Sequence, residues 1–265
     1  MNHLLVNALI GIDNTLHEPY ASLLKGLVYG IPIQIDPHLK SAIVQSGLAH
    51  LVVLSGTNIT LLASLTERIF FFLGRKMGTM LQLVFLGMFT GMVGAQPPLM
   101  RAIFMFLCTT VCYMTGRPSY ALWNLFLSLL CIAFIWPQWL ETVSLHLSVA
   151  ATIGIIISTR LKNLLPMKTP IWIDVLFESW IVFIITTPLT FFHFRTISLI
   201  SPVSTALASW IIVPLMIGGL FISLAYRLLP VVTIPISSGV FAGLRYLLWV
   251  IEITSSIPFG YLQFK

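Results

Sequence analysis

Apolar runs of about 20 residues, parted by short polar breaks, fill the chain after residue 40, and that length is what an α-helix needs to cross a bilayer. The pattern predicts spans near 42–66, 79–93, 97–113, 120–136, 140–158, 171–192, 198–224 and 237–257. Within the seventh, Pro202, Pro214, Gly218 and Gly219 interrupt the run, so a kinked helix or two half-helices meeting inside the membrane is expected there. Residues 1–40 differ. Their apolar clusters, Leu4, Leu5, Leu9 and Ile10, then Leu23, Leu24, Leu27 and Val28, are spaced by polar residues as in short amphipathic helices lying on a bilayer surface. The expected fold is an all-α polytopic membrane protein of about eight spans, seven to nine, with at least one Pro/Gly-broken helix. It divides into an amphipathic interfacial segment, 1–40, and a single transmembrane domain, 41–265.

Composition agrees with this pattern. Charged residues are 8% of the chain, hydrophobic residues 58%, and mean hydropathy is +0.99, which excludes water as the main solvent. A net charge of +6 would suggest nucleic acid or anionic lipid as partner of a soluble protein, but in a membrane protein a Lys/Arg excess first sets orientation. Arg68, Arg75 and Lys76 follow the first predicted span, Arg117 the third, Arg160, Lys162 and Lys168 the fifth, and Arg227 the seventh. These are alternate loops, and eight spans then place both termini outside. The start lacks the basic stretch, apolar core and cleavage site of a secretory signal, which leads us to expect a natural truncation or a piece of a longer protein. Cys108, Cys112 and Cys131 lie within apolar runs and read as small packing residues.

An ionisable group at a helix centre costs roughly 2.5 to 3.5 kcal/mol on insertion scales, so each polar residue inside an apolar run needs water or a partner. In the first span Ser55 and Asn58 are neighbours on one helix face, with His50 just over a turn earlier; that face is either wet or bonded to another helix. Pro97 or Pro98 starts the third span, and Arg101 follows close behind. Free backbone N–H groups, the positive helix end and a guanidinium converge there as an anion site, unless the arginine snorkels to the headgroups. His146 and Ser148 mark the fifth span. Asp174 and Glu178, four apart near the start of the sixth, suit dipole stabilisation better than a proton relay. Arg245 and Glu252, seven apart in the last, share a face where pairing with each other or with neighbours would neutralise both charges.

The stretch Ser46-Gly47-Leu48-Ala49-His50-Leu51-Val52-Val53-Leu54-Ser55-Gly56 resembles the signature of the competence domain of ComEC proteins, inner-membrane DNA-uptake channels. Further blocks agree in order: Gly94-Ala95-Gln96-Pro97-Pro98-Leu99-Met100-Arg101-Ala102, Gly116-Arg117-Pro118, His146-Leu147-Ser148 where the family has Gln-Leu-Ser, and Thr187-Pro188-Leu189 through Val213-Pro214-Leu215. One departure is Asn58, which stands where the family has His and cannot titrate near neutral pH. The OB-like and metallo-β-lactamase-like domains of longer relatives are not in this sequence, and neither is a His-x-His-x-Asp-His motif.

The resemblance implies a channel, not an enzyme, that translocates single-stranded DNA into the cytoplasm during natural transformation. Ser55, Asn58 and Arg101 are the first candidates to line its path, with His50, His146 and Ser148 second. Implied partners are single-stranded DNA, membrane lipids, a periplasmic DNA receptor, a cytosolic ATP-driven DNA translocase, and separately encoded OB-like or nuclease domains. No cofactor is expected, and no phosphate-binding loop is present to power movement. Two other classes fit parts of the pattern: a small-solute transporter with a midplane site at the broken seventh span, and an intramembrane serine hydrolase using Ser55 with His146 as base.

Overall fold

The computed structural model describes residues 3–31, 35–52, 66, 72, 74–164, 170–226, 230–257 and 260–263. Its helices are α1 (His3–Thr15), α2 (Tyr20–Tyr29), α3 (Pro37–Gln45), α4 (Ala49–Val52), α5 (Arg75–Val93), α6 (Pro97–Met114), α7 (Ala121–Ile135), α8 (Val143–Leu164), α9 (Ile171–Phe194), α10 (Ser201–Ala225) and α11 (Pro230–Ser255). A 3-10 turn, Pro137–Glu141, joins α7 to α8, and two three-residue strands, Thr196–Ser198 and Tyr261–Gln263, pair with each other. Five helices, α6, α8, α9, α10 and α11, are long and apolar enough to cross a membrane. Met77–Val93 within α5 and Ala121–Ile135 are shorter apolar helices. These seven correspond to the second through eighth expected spans.

The first expected span behaves differently. Where residues 42–66 read as one helix, α3 stops at Gln45 and the chain turns at Ser46–Leu48 before α4 begins. Gly47 has φ +74°, the left-handed conformation that ends helices and that glycine adopts without penalty. Apolar content alone does not show such a stop, because Leu48, Leu51 and Val52 on its far side are buried like any spanning residue.

The seventh expected span is a single helix, α10, with Pro214, Gly218 and Gly219 inside it. A proline removes one backbone donor, which a long helix held on several sides absorbs. The two glycines serve close approach. A Cβ on Gly218 would stand 2.4 Å from Val240 Cγ2, and one on Gly219 would stand 2.8 Å from Val28 Cγ2. Such small-residue contacts let helices pack where lipid offers no hydrophobic driving force.

The chain folds as two compact units: residues 1–54 with 197–264, and residues 55–196. In the first, α1 and α2 pack on α10 and α11 around Ile12, Leu24, Leu27, Ile212, Met216 and Ile251. Eight of the ten residues of α2 are buried. This helix is a core element of its unit, packed on α1, α10 and α11. In the second unit α6 packs antiparallel on α7, and α8 on α9. Asn124 ties the first pair, its Nδ2 donating to Thr109 Oγ1 at 2.8 Å and Ser119 Oγ at 2.9 Å. Gly154 brings α8 against α9, since a Cβ there would lie 2.9 Å from Val182 Cα.

Candidate functional site

Pro97 and Pro98 open α6 with residues that have no N–H to leave unpaired, and Arg101 follows one turn in. Its side chain turns inward and is 1% exposed. Nε donates to Ser148 Oγ at 3.0 Å, joining α6 to α8, and Nη1 lies 2.9 Å from Met105 Sδ, one turn further along its own helix. Among the described residues no carboxylate lies within ion-pair distance of this guanidinium. A buried charge held by a hydroxyl and a thioether alone carries a desolvation cost on the order of several kcal/mol.

Ser148 and His146 are two residues apart on α8, so they leave opposite sides of the helix. Arg101 thus meets Ser148 and not His146. His146 instead faces His193 of α9, with ring centroids 6.3 Å apart and planes 29° from parallel, and Phe192 meets His193 edge-on at 5.6 Å. Because α6 and α8 start where α7 and α9 end, Arg101, Ser148, His146 and His193 share one end of the unit. Arg117, Arg160 and Lys162 occupy the other end.

Other expected pairings resolve plainly. Asp174 takes Lys162 of α8 as ion-pair partner, closing the α8–α9 hairpin. Arg245 and Glu252 form no ion pair among the described residues. Glu252 instead lines an open cleft of about 950 Å³ in the first unit, together with Glu18, Asp36 and His38. The helix turns between Arg245 and Glu252 bring them onto one face, but long exposed side chains gain little from pairing in that position. Ser55 and Asn58 lie outside the described residues; His50 belongs to α4, with its backbone alone described. Among the described residues no group of three or more His, Cys, Asp or Glu could hold a metal ion.

Three residues not among the expected site residues are Ser198, Ser201 and Ser204, the first two at the ends of a block, 198–201, that shares in the family resemblance. Their hydroxyls donate to the carbonyls of Gln45, Gly47 and Ser46, where α3 ends and the chain turns. The signal that would have found two of them is the spacing of three between Ser201 and Ser204, which puts both hydroxyls on one face of the first turn of α10; Ser198 ends the strand before it.

Long apolar helices packed in pairs and joined by hydroxyl, amide and arginine hydrogen bonds define a polytopic α-helical membrane protein. A family model described as Competence protein matches residues 27–265, nearly the whole chain, and the chain belongs to that family. Comparison with curated proteins and with solved structures returns no match.

Proposed function

We propose that this protein is an inner-membrane channel that passes single-stranded DNA into the cytoplasm during natural transformation. The observation that carries the reading is Arg101, a guanidinium inside a membrane helix bundle with no acid beside it among the described residues. A nucleic-acid strand brings one negative charge per nucleotide, and a fixed positive potential without its own countercharge draws that strand into a low-dielectric region. Because the group is held by Ser148 and shielded, it attracts phosphates without gripping them, as sliding requires. Ser55, Asn58 and His50 belong to the same path in this reading, and His146 with Ser148 supports the end at which Arg101 sits.

The positive-inside rule puts the connections bearing Arg117, Arg160 and Lys162 in the cytoplasm. The Arg101 end then faces outward, where the strand arrives, and both termini lie outside. A periplasmic receptor delivers the DNA, and a cytosolic ATP-driven translocase pulls it. The small-solute reading relied on a broken seventh helix, and α10 is continuous.

The test is uptake of labelled DNA in a strain lacking its own channel, with the cognate partners supplied. Wild type restores uptake, Arg101→Ala lowers it about 30-fold, the size expected for one lost charge-assisted contact, and Arg101→Lys keeps part of it. Failure of the intact protein to restore uptake, or full uptake by Arg101→Ala, overturns the channel reading.

A further inference from the structure

The last carbonyls of any helix lack partners within it, and the end of α3 shows where each one goes. Ser46 N donates to Ala42 O at 2.9 Å, Gly47 N to Val44 O at 3.0 Å and Leu48 N to Ile43 O at 3.2 Å. That leaves the carbonyls of Gln45, Ser46 and Gly47, three in a row. Ser198 Oγ donates to Gln45 O at 2.8 Å, Ser204 Oγ to Ser46 O at 2.6 Å, and Ser201 Oγ to Gly47 O at 3.3 Å. Ser46 and Ser204 are both fully buried, so water cannot replace these bonds. The chain restarts at once as helix, with Leu51 N and Val52 N both donating to Leu48 O at 2.9 Å.

Gly47 is pressed by the same serines. A Cβ there would lie 2.5 Å from Ser201 Cβ, 2.7 Å from Ser201 Oγ and 2.9 Å from Ser198 Oγ, on a backbone already at φ +74°. The glycine and the hydroxyl trio are two halves of one device, brought together from positions more than 150 residues apart.

We propose that Ser198, Ser201 and Ser204 are positioning residues: by holding the turn at Gln45–Leu48 they set the direction in which α4 (Ala49–Val52) leaves it. The purpose of that direction rests on the channel reading; the lock itself does not. A left-handed residue between two helices fixes their angle only while its flanking carbonyls are tied, because untied carbonyls accept other partners and other angles. The ties here are neutral hydroxyls. They hold geometry without placing a charge near the path.

The deciding experiment follows a single reporter, Asn58→Cys, in a chain whose native cysteines are replaced by serine, with a membrane-impermeant maleimide. Ser204→Ala changes the labelling rate at position 58 by about threefold or more, the range that freeing one buried carbonyl opens, and leaves a control reporter, Ser256→Cys, unchanged. Ser204→Thr, which keeps the hydroxyl, restores the original rate. Should Ser204→Ala not insert, Ser198→Ala and Ser201→Ala give the same reading, with the weaker 3.3 Å bond of Ser201 giving the smaller change. Without the reporter, Ser204→Ala lowers DNA uptake per inserted protein about tenfold. A labelling change in a protein that never supports uptake upholds the lock and removes the channel. Unchanged labelling in all three alanine variants, with wild-type uptake, overturns the lock.

Discussion

The two units use their polar residues in opposite ways. In the first, buried hydroxyls meet backbone carbonyls, neutral group to neutral group, around the Gly47 turn and along α10. In the second, the buried set includes a full charge, Arg101, beside Ser148, with the imidazoles of His146 and His193 stacked at the same end. Packing differs in the same direction: 44% and 39% of the apolar windows of α10 and α11 are buried, against 28%, 22% and none for α6, α8 and α9. A unit that buries more of its spanning helices has its stability secured by its own contacts. The second unit buries less of its spanning helices and holds a cation that, among the described residues, has no acidic partner.

The contrast can be broken most forcefully at Gly47. Gly47→Val places a branched side chain at φ +74° against Ser201, and we expect a loss of at least about 3 kcal/mol, enough to deplete full-length protein from the membrane fraction. Normal accumulation, with an unchanged melting temperature in detergent, would show that the turn is not under the constraint described.

In the second unit the sharper probe is Ser148→Ala. It removes the oxygen to which Arg101 Nε donates and leaves a buried charged donor unpaired, so stability should fall by about 2 kcal/mol. Removing the charge as well, in Arg101→Ala with Ser148→Ala, should recover part of that loss, measured by denaturant unfolding in micelles. If the double variant is less stable than either single one, Arg101 is a structural cation and the contrast between the units collapses.

Asn124→Ala sharpens the comparison at the small end. It breaks two neutral hydrogen bonds that tie α6, α7 and the loop before it, and membrane interhelical bonds of this kind average near 0.6 kcal/mol, so about 1 kcal/mol is expected by the same unfolding measurement. A loss as large as that of Ser148→Ala would mean that charge is not what distinguishes the Arg101 site.

Much of the fold was legible because hydrocarbon imposes one rule, that backbone groups pair within helices, and the apolar windows obey it from α5 to α11. The errors fall where a glycine changes meaning with its surroundings. Gly47 lies inside what reads as one span, 42–66, whereas Gly218 reads as an interruption. Gly47 stands at the end of a helix, with serines on the carbonyls around it, whereas Gly218 stands inside α10 where Val240 leaves no room for a side chain. At the candidate site, Arg101 and Ser148 were visible as polar residues in apolar runs. Their bond was not, nor was the turning of His146 toward His193, since helix phase alone does not say which neighbour each face meets.

By itself the sequence determined the solvent, the number and length of most spanning helices, the basic connections and the family signature, because these depend on composition and local periodicity. Only the tertiary structure decided that α2 is buried, that α10 passes unbroken through its proline, and that a turn near residue 47 is closed by hydroxyls from residues 198 to 204. Those outcomes depend on which helix stands beside which, and in a membrane that choice is made by close contacts and paired polar groups that no local pattern records.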